Sequence, residues 1–185
     1  MAKKIVEPKK APAVSVVIAM YNAERYIEPC LSTLFNQTFQ DFEVILIDDC
    51  STDNSAAVVK ALMPNFEGRL TLLKTKRNSA TPGLPRNQAL KSARGKYLYF
   101  LDSDDLLMKT ALEELVSIAE ETNAEVVHAE KYYEMIDGSN QIKIQTFQQP
   151  PYVDKPTPET EDIGDRVERF TQKKFLWNVW SKLIR

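Results

Sequence analysis

The chain has 185 residues, of which 43% are hydrophobic and 27% are charged, and its formal net charge is −2. This length and composition predict one soluble domain with a small appendage and a sizeable buried core, and the balanced charge gives no reason to expect a nucleic-acid partner. The two cysteines, Cys30 and Cys50, do not form a disulfide framework, and no apolar stretch reaches the roughly 20 residues that span a bilayer. We therefore expect a cytoplasmic protein, with peripheral association at the inner face of the cell membrane left open.

The first elements of the chain predict a buried strand, a helix and a second buried strand. Residues 1–12 are lysine-rich and are predicted to be a flexible tail. Val14–Ala19 is a nearly continuous apolar run, which is typical of a strand buried on both faces. Apolar residues then recur at helical spacing as far as Phe35, with Asn22 as the predicted N-cap. Phe42–Ile47 is the second apolar run, and it ends in two aspartates.

The alternation of helices and strands continues to about residue 130. The next elements are predicted to be a helix that Pro64 ends, a strand Leu70–Leu73, a helix from about Pro85 to Ala93, a strand Lys96–Leu101, a helix Lys109–Thr122 and a strand Glu125–Ala129. This order predicts an α/β fold with a mainly parallel, mixed sheet flanked by helices. After Lys131 a hairpin signal around Gly138 and a proline-rich polar stretch follow. We therefore assign residues 13–130 to the α/β domain and residues 131–185 to a second region.

The most informative feature is the run of aspartates that ends the strand Lys96–Leu101. Asp102, Asp104 and Asp105 bring three carboxylates within four residues, and their mutual repulsion requires a counter-charge. Capping the following helix would need only one of them, whereas Mg²⁺ is often held by one or two carboxylates together with a substrate phosphate. In a parallel sheet the ends of successive strands share one edge, so Asp48 and Asp49 are expected to face the same cleft, with capping of the next helix as the alternative role for this pair.

Arg86 is the predicted cationic partner at this cleft. It opens a helix after a turn-rich loop, where a guanidinium suits a phosphate or a carboxylate. A salt bridge from Arg86 to one of the nearby aspartates is the alternative, and the two interpretations are compatible.

Several segments together resemble the large family of inverting nucleotide-sugar glycosyltransferases (family 2 type) with the GT-A fold. The segments that carry the resemblance are Val14–Asn22, Gln37–Phe39, Asp41–Asp53, Pro85–Leu90, Gly95–Tyr97 and Leu101–Asp105. The resemblance is dense from about Val14 to Glu130 and implies a Rossmann-like, nucleotide-sugar-binding domain. It implies a hexosyltransferase of polysaccharide biosynthesis that moves a sugar, with a UDP-sugar favoured, to a hydroxyl of a glycan or of a lipid-linked sugar.

The resemblance also implies roles for single residues. Ala19, Tyr21 and Glu24 would line the donor site at the end of the first strand, and Asp49 would accept a hydrogen bond from the base. Arg86, Asp102 and Ser103 would contact the donor, while Asp104, Asp102 and Asp105 would hold Mn²⁺ or Mg²⁺ against the diphosphate. Residues 131–185 would begin the acceptor-side region.

The general base of such an enzyme is not identified in this sequence. In the family it usually belongs to an acidic pair that follows a segment resembling Trp180–Arg185, whereas here the pair Glu161-Asp162 precedes that segment. The base is therefore predicted to lie beyond Arg185, and the chain is predicted to be truncated. A homodimer is left open.

Two other functions are compatible with an acidic pocket at the edge of a parallel sheet. One is a noncatalytic, Mg²⁺-binding signalling domain of the receiver type, which the aspartate triplet and the Arg86 segment fit poorly. The other is a sugar nucleotidyltransferase, which usually has a glycine-rich and basic first loop that this chain lacks.

Overall fold

The computed structural model describes residues 10–129, 131–136, 141–146 and 182–185. The predicted hairpin turn at residues 137–140, the proline-rich stretch and most of the predicted N-terminal tail lie outside these residues. In chain order the elements are β1 Val14–Met20, α1 Ile27–Phe35, β2 Phe42–Asp48, α2 Ser55–Leu62, a 3₁₀ helix Met63–Phe66, β3 Leu70–Lys74, α3 Gly83–Leu90, β4 Tyr97–Phe100, α4 Ala111–Thr122, β5 Val126–His128, β6 Lys131–Ile136, β7 Gln141–Thr146 and β8 Lys182–Ile184. Among the described residues no helix has the length and apolar character needed to cross a membrane.

The chain divides into two compact units, Met1–Val127 with Leu183–Arg185, and His128–Lys182. The main sheet has six strands in the order β3-β2-β1-β4-β8-β5. Strands β3, β2, β1 and β4 are parallel to one another, and β8 is antiparallel to β4. In the second unit β6 and β7 form an antiparallel ladder from Lys131 opposite Thr146 to Ile136 opposite Gln141. The mixed, mainly parallel sheet flanked by helices confirms the predicted fold class.

The strands at the centre of the sheet are buried on both faces. In β1 the alternate residues Val14, Val16 and Ile18 join a core cluster with apolar residues of α1, α2 and α4, whereas Val17 joins a second cluster with Ala89 of α3. This is the burial expected of strands that read as continuous apolar runs.

The predicted N-cap of α1 is wrong. The helix begins after Tyr26, and no side chain caps it. Asn22 has a left-handed backbone with φ of 50°, and its side-chain oxygen accepts a hydrogen bond from the backbone N–H of Thr52 at 2.8 Å. The side chain of Asn22 is therefore used between two loops rather than within one helix.

Helix α2 also departs from the prediction. It ends at Leu62, and the chain continues as a 3₁₀ helix that includes Pro64, because a proline is accommodated near the start of such a turn. Strand β8 was not predicted at all. It contributes Leu183 opposite Tyr99 and Ile184 opposite Leu98, next to the strand that ends in the aspartates.

Candidate functional site

The order of the strands creates a crevice at the carboxyl edge of the sheet. The chain runs from β1 outward to β2 and β3, then returns to the other side of β1 for β4. Ligands of open α/β sheets bind where the strand order reverses in this way. Met20 lies opposite Asp48 in the register, and the N–H of Leu101 donates to the carbonyl of Val17 at 3.1 Å. The residues that follow β1, β2 and β4 therefore meet at one edge, as predicted.

Arg86 and Asp102 form an ion pair at this edge. The side chains of Arg86 and Asp102 are 16% and 34% exposed, and the guanidinium lies 6.0 Å from the centre of the Phe100 ring. The Nε atom of Arg86 is buried and has no hydrogen-bond partner among the described residues. The predicted contact between Arg86 and an aspartate is thus present, and the guanidinium keeps a donor that is not satisfied within this part of the chain.

The other two aspartates have no such partner. Asp105 closes a turn by donating its N–H to the carbonyl of Asp102 at 3.1 Å, and Ser103 is half-buried within that turn. In the described part of the chain no side chain donates to, or pairs with, the carboxylates of Asp104 and Asp105. Burial and the neighbouring carboxylates of Asp102 and Asp104 raise the pKa of Asp105 to about 6.

The turn that carries the three aspartates is therefore negatively charged, and among the described residues only Arg86 pairs with it. Burial, and to a lesser extent the carboxylates of Asp105, Asp104 and Asp102, raise the pKa of the Cys30 thiol to about 12, and that thiol donates to the carbonyl of Asp102 at 3.5 Å. Carboxylate oxygens are the ligands that Mg²⁺ and Mn²⁺ prefer. Among the described residues no group of three or more His, Cys, Asp or Glu side chains could hold a metal ion by itself. The donor set fits a metal ion that is shared with a substrate phosphate.

Sequence reasoning missed the residue that holds the loop after the aspartates. Gln37 is only 3% exposed, and its amide donates to the carbonyl of Met108 at 2.8 Å and accepts from the N–H of Leu112 at 3.2 Å. Thr33 adds to this contact because its hydroxyl accepts from the N–H of Leu107 at 3.1 Å. A buried glutamine after a helix gives no signal of its own in the sequence, although Gln37 lies in one of the segments that carry the family resemblance.

Asp49 is held firmly at the end of β2. One of its carboxylate oxygens accepts from the hydroxyl of Thr75 at 2.8 Å, and the other accepts from the N–H and the hydroxyl of Ser79 at 2.8 and 2.7 Å. Burial opposes ionisation, but the hydrogen bonds from Ser79 and Thr75 prevail and lower the pKa of Asp49. Asp48 is buried beside it and accepts from the N–H of Ser51 at 2.8 Å.

The remaining predicted site residues lie at the end of β1 and in the loop that follows it. Ala19 of β1 is half-buried, Tyr21 is 51% exposed, and Glu24 is exposed. The carboxylate of Glu24 accepts from the backbone and the side chain of Asn54 at 3.2 and 2.9 Å. An open cavity of about 360 Å³ adjoins this loop and is lined by Asn22, Glu24, Arg25, Tyr26 and Asp53.

Similar proteins are glycosyltransferases. A Staphylococcus aureus poly(ribitol-phosphate) β-N-acetylglucosaminyltransferase, TarS, is 38% identical over 115 residues, which are 61% of this chain and 20% of TarS. The crystal structure of residues 1–349 of TarS in complex with UDP-GlcNAc matches with a TM-score of 0.62 at 35% identity, over 68% of this chain and 35% of the TarS chain. The mannosyltransferase PcManGT of Pyrobaculum calidifontis, solved with GDP-Man and Mn²⁺, matches with a TM-score of 0.60 at 25% identity, over 66% of this chain and 36% of PcManGT.

This chain therefore spans about a fifth of the length of TarS. The likeness to these structures agrees with the observed sheet, and it disfavours the receiver and nucleotidyltransferase alternatives. The model of the family described as glycosyl transferase family 2 matches residues 15–177, which include every element that forms the site. The chain belongs to glycosyl transferase family 2.

Proposed function

We propose that this chain binds the donor in a metal-assisted transfer of a hexose, with inversion, from a nucleoside diphosphate sugar to a hydroxyl of a glycan or of a lipid-linked sugar. The observation that carries the proposal is the edge of the sheet where the Arg86–Asp102 ion pair adjoins the carboxylates of Asp104 and Asp105. A relative binds UDP-GlcNAc on the same fold, so UDP is the nucleotide that we propose here.

The charges of these side chains suit a diphosphate only if a cation is present. A diphosphate brought alone to Asp102, Asp104 and Asp105 would be repelled by three carboxylates. We propose that these residues hold Mn²⁺ or Mg²⁺, which when bound neutralises charge on the departing nucleoside diphosphate. Arg86 would turn its unsatisfied Nε donor, and part of its guanidinium, toward a phosphate oxygen. Ser103 lies in the same turn and would contact the donor there.

The nucleoside end of the donor would lie at the ends of β1 and β2. We place the base beside Ala19, which has a small side chain, and Tyr21, which is exposed. An ionised carboxylate has about four acceptor positions, and three of those of Asp49 are used by Thr75 and Ser79. Asp49 therefore retains one acceptor position for a ring N–H of a base.

The remaining assignments follow from the sequence. The general base stays a prediction for residues beyond Arg185, and the acceptor-side region stays a prediction for residues 131–185. Cys30 and Cys50 are both free thiols, which supports a location in the reducing cytoplasm.

Calorimetric titration of the chain with UDP tests this proposal. We expect UDP to bind in the presence of Mn²⁺ or Mg²⁺ and to lose most of its affinity when EDTA removes the metal. Titrations with ADP and with GDP under the same conditions serve as controls for the choice of base. A folded sample that binds no nucleoside diphosphate with either metal present would contradict the proposal.

A further inference from the structure

The loop after β1 and the loop after β2 are joined by a set of reciprocal hydrogen bonds, which we call the loop clasp (residues 22–24 with residues 51–55). Three successive backbone N–H groups of the first loop donate to side-chain oxygens of the second. They are those of Asn22 to Ser51 Oγ at 3.0 Å, Ala23 to Ser55 Oγ at 2.8 Å and Glu24 to Asp53 Oδ2 at 3.1 Å.

The second loop donates to the first in return. The N–H of Thr52 donates to the side-chain oxygen of Asn22 at 2.8 Å. The backbone N–H and the side-chain amide of Asn54 donate to the two carboxylate oxygens of Glu24 at 3.2 and 2.9 Å. Every polar side chain in the clasp therefore has its partner on the opposite loop, about 30 residues away in the sequence.

Asp53 and Ser55 connect the clasp to the start of α2. The hydroxyl of Ser55, which is fully buried, accepts from Ala23 and donates to Asp53 Oδ1 at 2.5 Å. The same oxygen of Asp53 also accepts from the backbone N–H of Ser55 at 3.0 Å. The side chain of Asp53 thus bonds its own helix with one oxygen and the opposite loop with the other.

The clasp lies directly beyond the ends of the two strands where we place the nucleoside. Met20 lies opposite Asp48, and the N–H of Asp49 donates to the carbonyl of Met20 at 2.8 Å. Tyr21 follows Met20 and Cys50 follows Asp49, and each of these two residues precedes the clasp by a single position. The spacing between Tyr21 and Asp49 is therefore set on one side by the sheet and on the other side by the clasp.

We propose that Asp53, Ser55 and Asn54 are positioning residues for the nucleoside end of the donor site, and that Glu24 acts through the clasp rather than by touching the donor. This inference rests on the proposed function. It also means that the backbone N–H groups of residues 22–24 are engaged within the protein, so that the diphosphate is left to Arg86 and the metal ion.

A double-mutant cycle tests whether Glu24 acts through its contact with Asn54 or touches the donor directly. Asn54→Ala removes the side-chain amide that donates to Glu24, and we expect it to weaken the binding of UDP with Mn²⁺ by about fivefold, the typical effect of one hydrogen bond. Glu24→Ala removes the acceptor of both the side-chain amide and the backbone N–H of Asn54, so its effect should be at least as large. The double variant is expected to bind no more weakly than Glu24→Ala alone, because the side chain of Asn54 acts through Glu24. If Asn54→Ala leaves UDP binding unchanged, Asn54 is not a positioning residue, and if the two effects multiply, Glu24 contacts the donor directly; either result contradicts the inference.

Asp53→Asn tests the other half of the clasp with little change in volume. We expect UDP with Mn²⁺ to bind about tenfold more weakly, because an amide nitrogen would then face an N–H donor. Inorganic pyrophosphate with Mn²⁺, which engages only the metal end, is expected to bind within about twofold of the wild type. The matched control is Asp41→Asn, an exposed aspartate at the opposite edge of the sheet, which should change neither affinity.

The outcomes distinguish a failure of the proposed function from a failure of the clasp inference alone. A wild-type chain that binds neither UDP nor pyrophosphate would overturn the proposed function and the clasp inference together. A wild-type chain that binds UDP, with Asp53→Asn unchanged or with both affinities reduced equally, would overturn the clasp inference alone.

Discussion

Glu43 at the amino edge of the main sheet and the aspartates that follow β4 at its carboxyl edge are held in opposite ways. At the amino edge Glu43 of β2 is 8% exposed and has every oxygen satisfied by the protein. Its Oε1 accepts from the hydroxyl of Ser15 at 2.8 Å and from the N–H of Arg94 at 2.9 Å, while its Oε2 accepts from the Arg94 guanidinium at 2.5 and 3.1 Å. At the carboxyl edge Asp104 and Asp105 have no such donor among the described residues.

The difference separates structural carboxylates from those available to a ligand. A buried carboxylate must be paired, so the network of Glu43, Ser15 and Arg94 contributes to stability and has no acceptor left for another molecule. The aspartates after β4 are exposed or partly exposed and crowded, and Arg86 pairs with Asp102 alone, so Asp104 and Asp105 are left for a ligand. Changes at Glu43 and its neighbours should therefore affect stability without affecting ligand binding, and changes at the aspartates after β4 should do the reverse.

The largest effect is expected from Gly95→Ala at the amino edge. A Cβ at Gly95 would lie 2.4 Å from the backbone nitrogen of Ser15 and 2.7 Å from the carbonyl carbon of Val14, and neither backbone can move without disturbing β1. We expect a loss of more than about 3 kcal/mol in the free energy of unfolding, which denaturant unfolding would measure. Gly83→Ala is the matched control, since nothing lies within 4 Å of its Cβ position. If Gly95→Ala and Gly83→Ala lowered the free energy of unfolding equally, close packing of Gly95 against β1 would be refuted.

Glu43→Ala should have the next largest effect on stability. It leaves the buried hydroxyl of Ser15 without its acceptor and the N–H of Arg94 with only the longer hydrogen bond to Ser15 Oγ at 3.2 Å, although the half-exposed Arg94 guanidinium can return to water. We expect a loss of about 2 kcal/mol by denaturant unfolding, and a smaller loss for Glu43→Gln, which keeps an acceptor. Glu28→Ala, an exposed change in α1, should stay within about 0.5 kcal/mol of the wild type. UDP affinity, measured well below the melting temperature, should not change, and a reduced affinity in Glu43→Ala would contradict the separation of the two edges.

Much of this contrast could be predicted from the sequence, because it depends on strands that are recognisable as continuous apolar runs. The predicted strand Phe42–Ile47 differs from β2 by one residue, and the aspartates of the site directly follow an apolar run. The ion pair between Arg86 and Asp102 was anticipated as one alternative because opposite charges were expected at the same cleft.

What the sequence did not reveal depends on partners that are distant along the chain. Strand β8 has only three residues, and it is a strand because Leu183 and Ile184 pair with β4 more than 80 residues earlier. Asp53 and Ser55 look like ordinary helix-capping residues, and nothing local indicates that they bind the loop after β1. Side chains of these types satisfy nearby backbone in most loops, so a pattern of capping residues does not predict a contact between loops.

At the carboxyl edge, Asp104→Asn should reduce ligand binding and leave stability nearly unchanged. Asp104 is exposed and has no partner among the described residues, so removing its charge breaks no contact in the folded chain. If it holds the metal, UDP affinity in the presence of Mn²⁺ should fall by about tenfold or more. Calorimetry measures this affinity, and Asp41→Asn is the control for the loss of one exposed negative charge. A variant that melts several degrees lower while binding UDP normally would reverse the roles that we assign to the two edges.

The smallest effect concerns the pH dependence of the metal-free protein. Burial and the carboxylates of Asp102 and Asp104 raise the pKa of Asp105 from 3.8 to about 6, so that between these values the folded chain holds a proton that the unfolded chain has lost. The free energy of unfolding should therefore fall as the pH rises from 4 to 6.5, relative to Asp105→Asn, which cannot ionise. Allowing for the partial exposure of this group, we expect the difference to reach about 1 kcal/mol above pH 6.5.

Adding Mn²⁺ at pH 7 should remove the difference between wild type and Asp105→Asn, because the cation supplies the counter-charge that the folded chain lacks. Chemical denaturation at a series of pH values, in EDTA and then in Mn²⁺, measures both effects. The aspartates of the loop after β2 provide an internal reference, since hydrogen bonds hold the pKa of Asp49 and of Asp53 below the usual range against the opposing effect of burial. Their contribution is present above pH 4 and disappears only as the pH falls below it, so it acts outside the window in which Asp105 titrates. Parallel stability curves for the wild type and Asp105→Asn between pH 4 and 7 would mean that the aspartates after β4 do not repel one another in the folded chain.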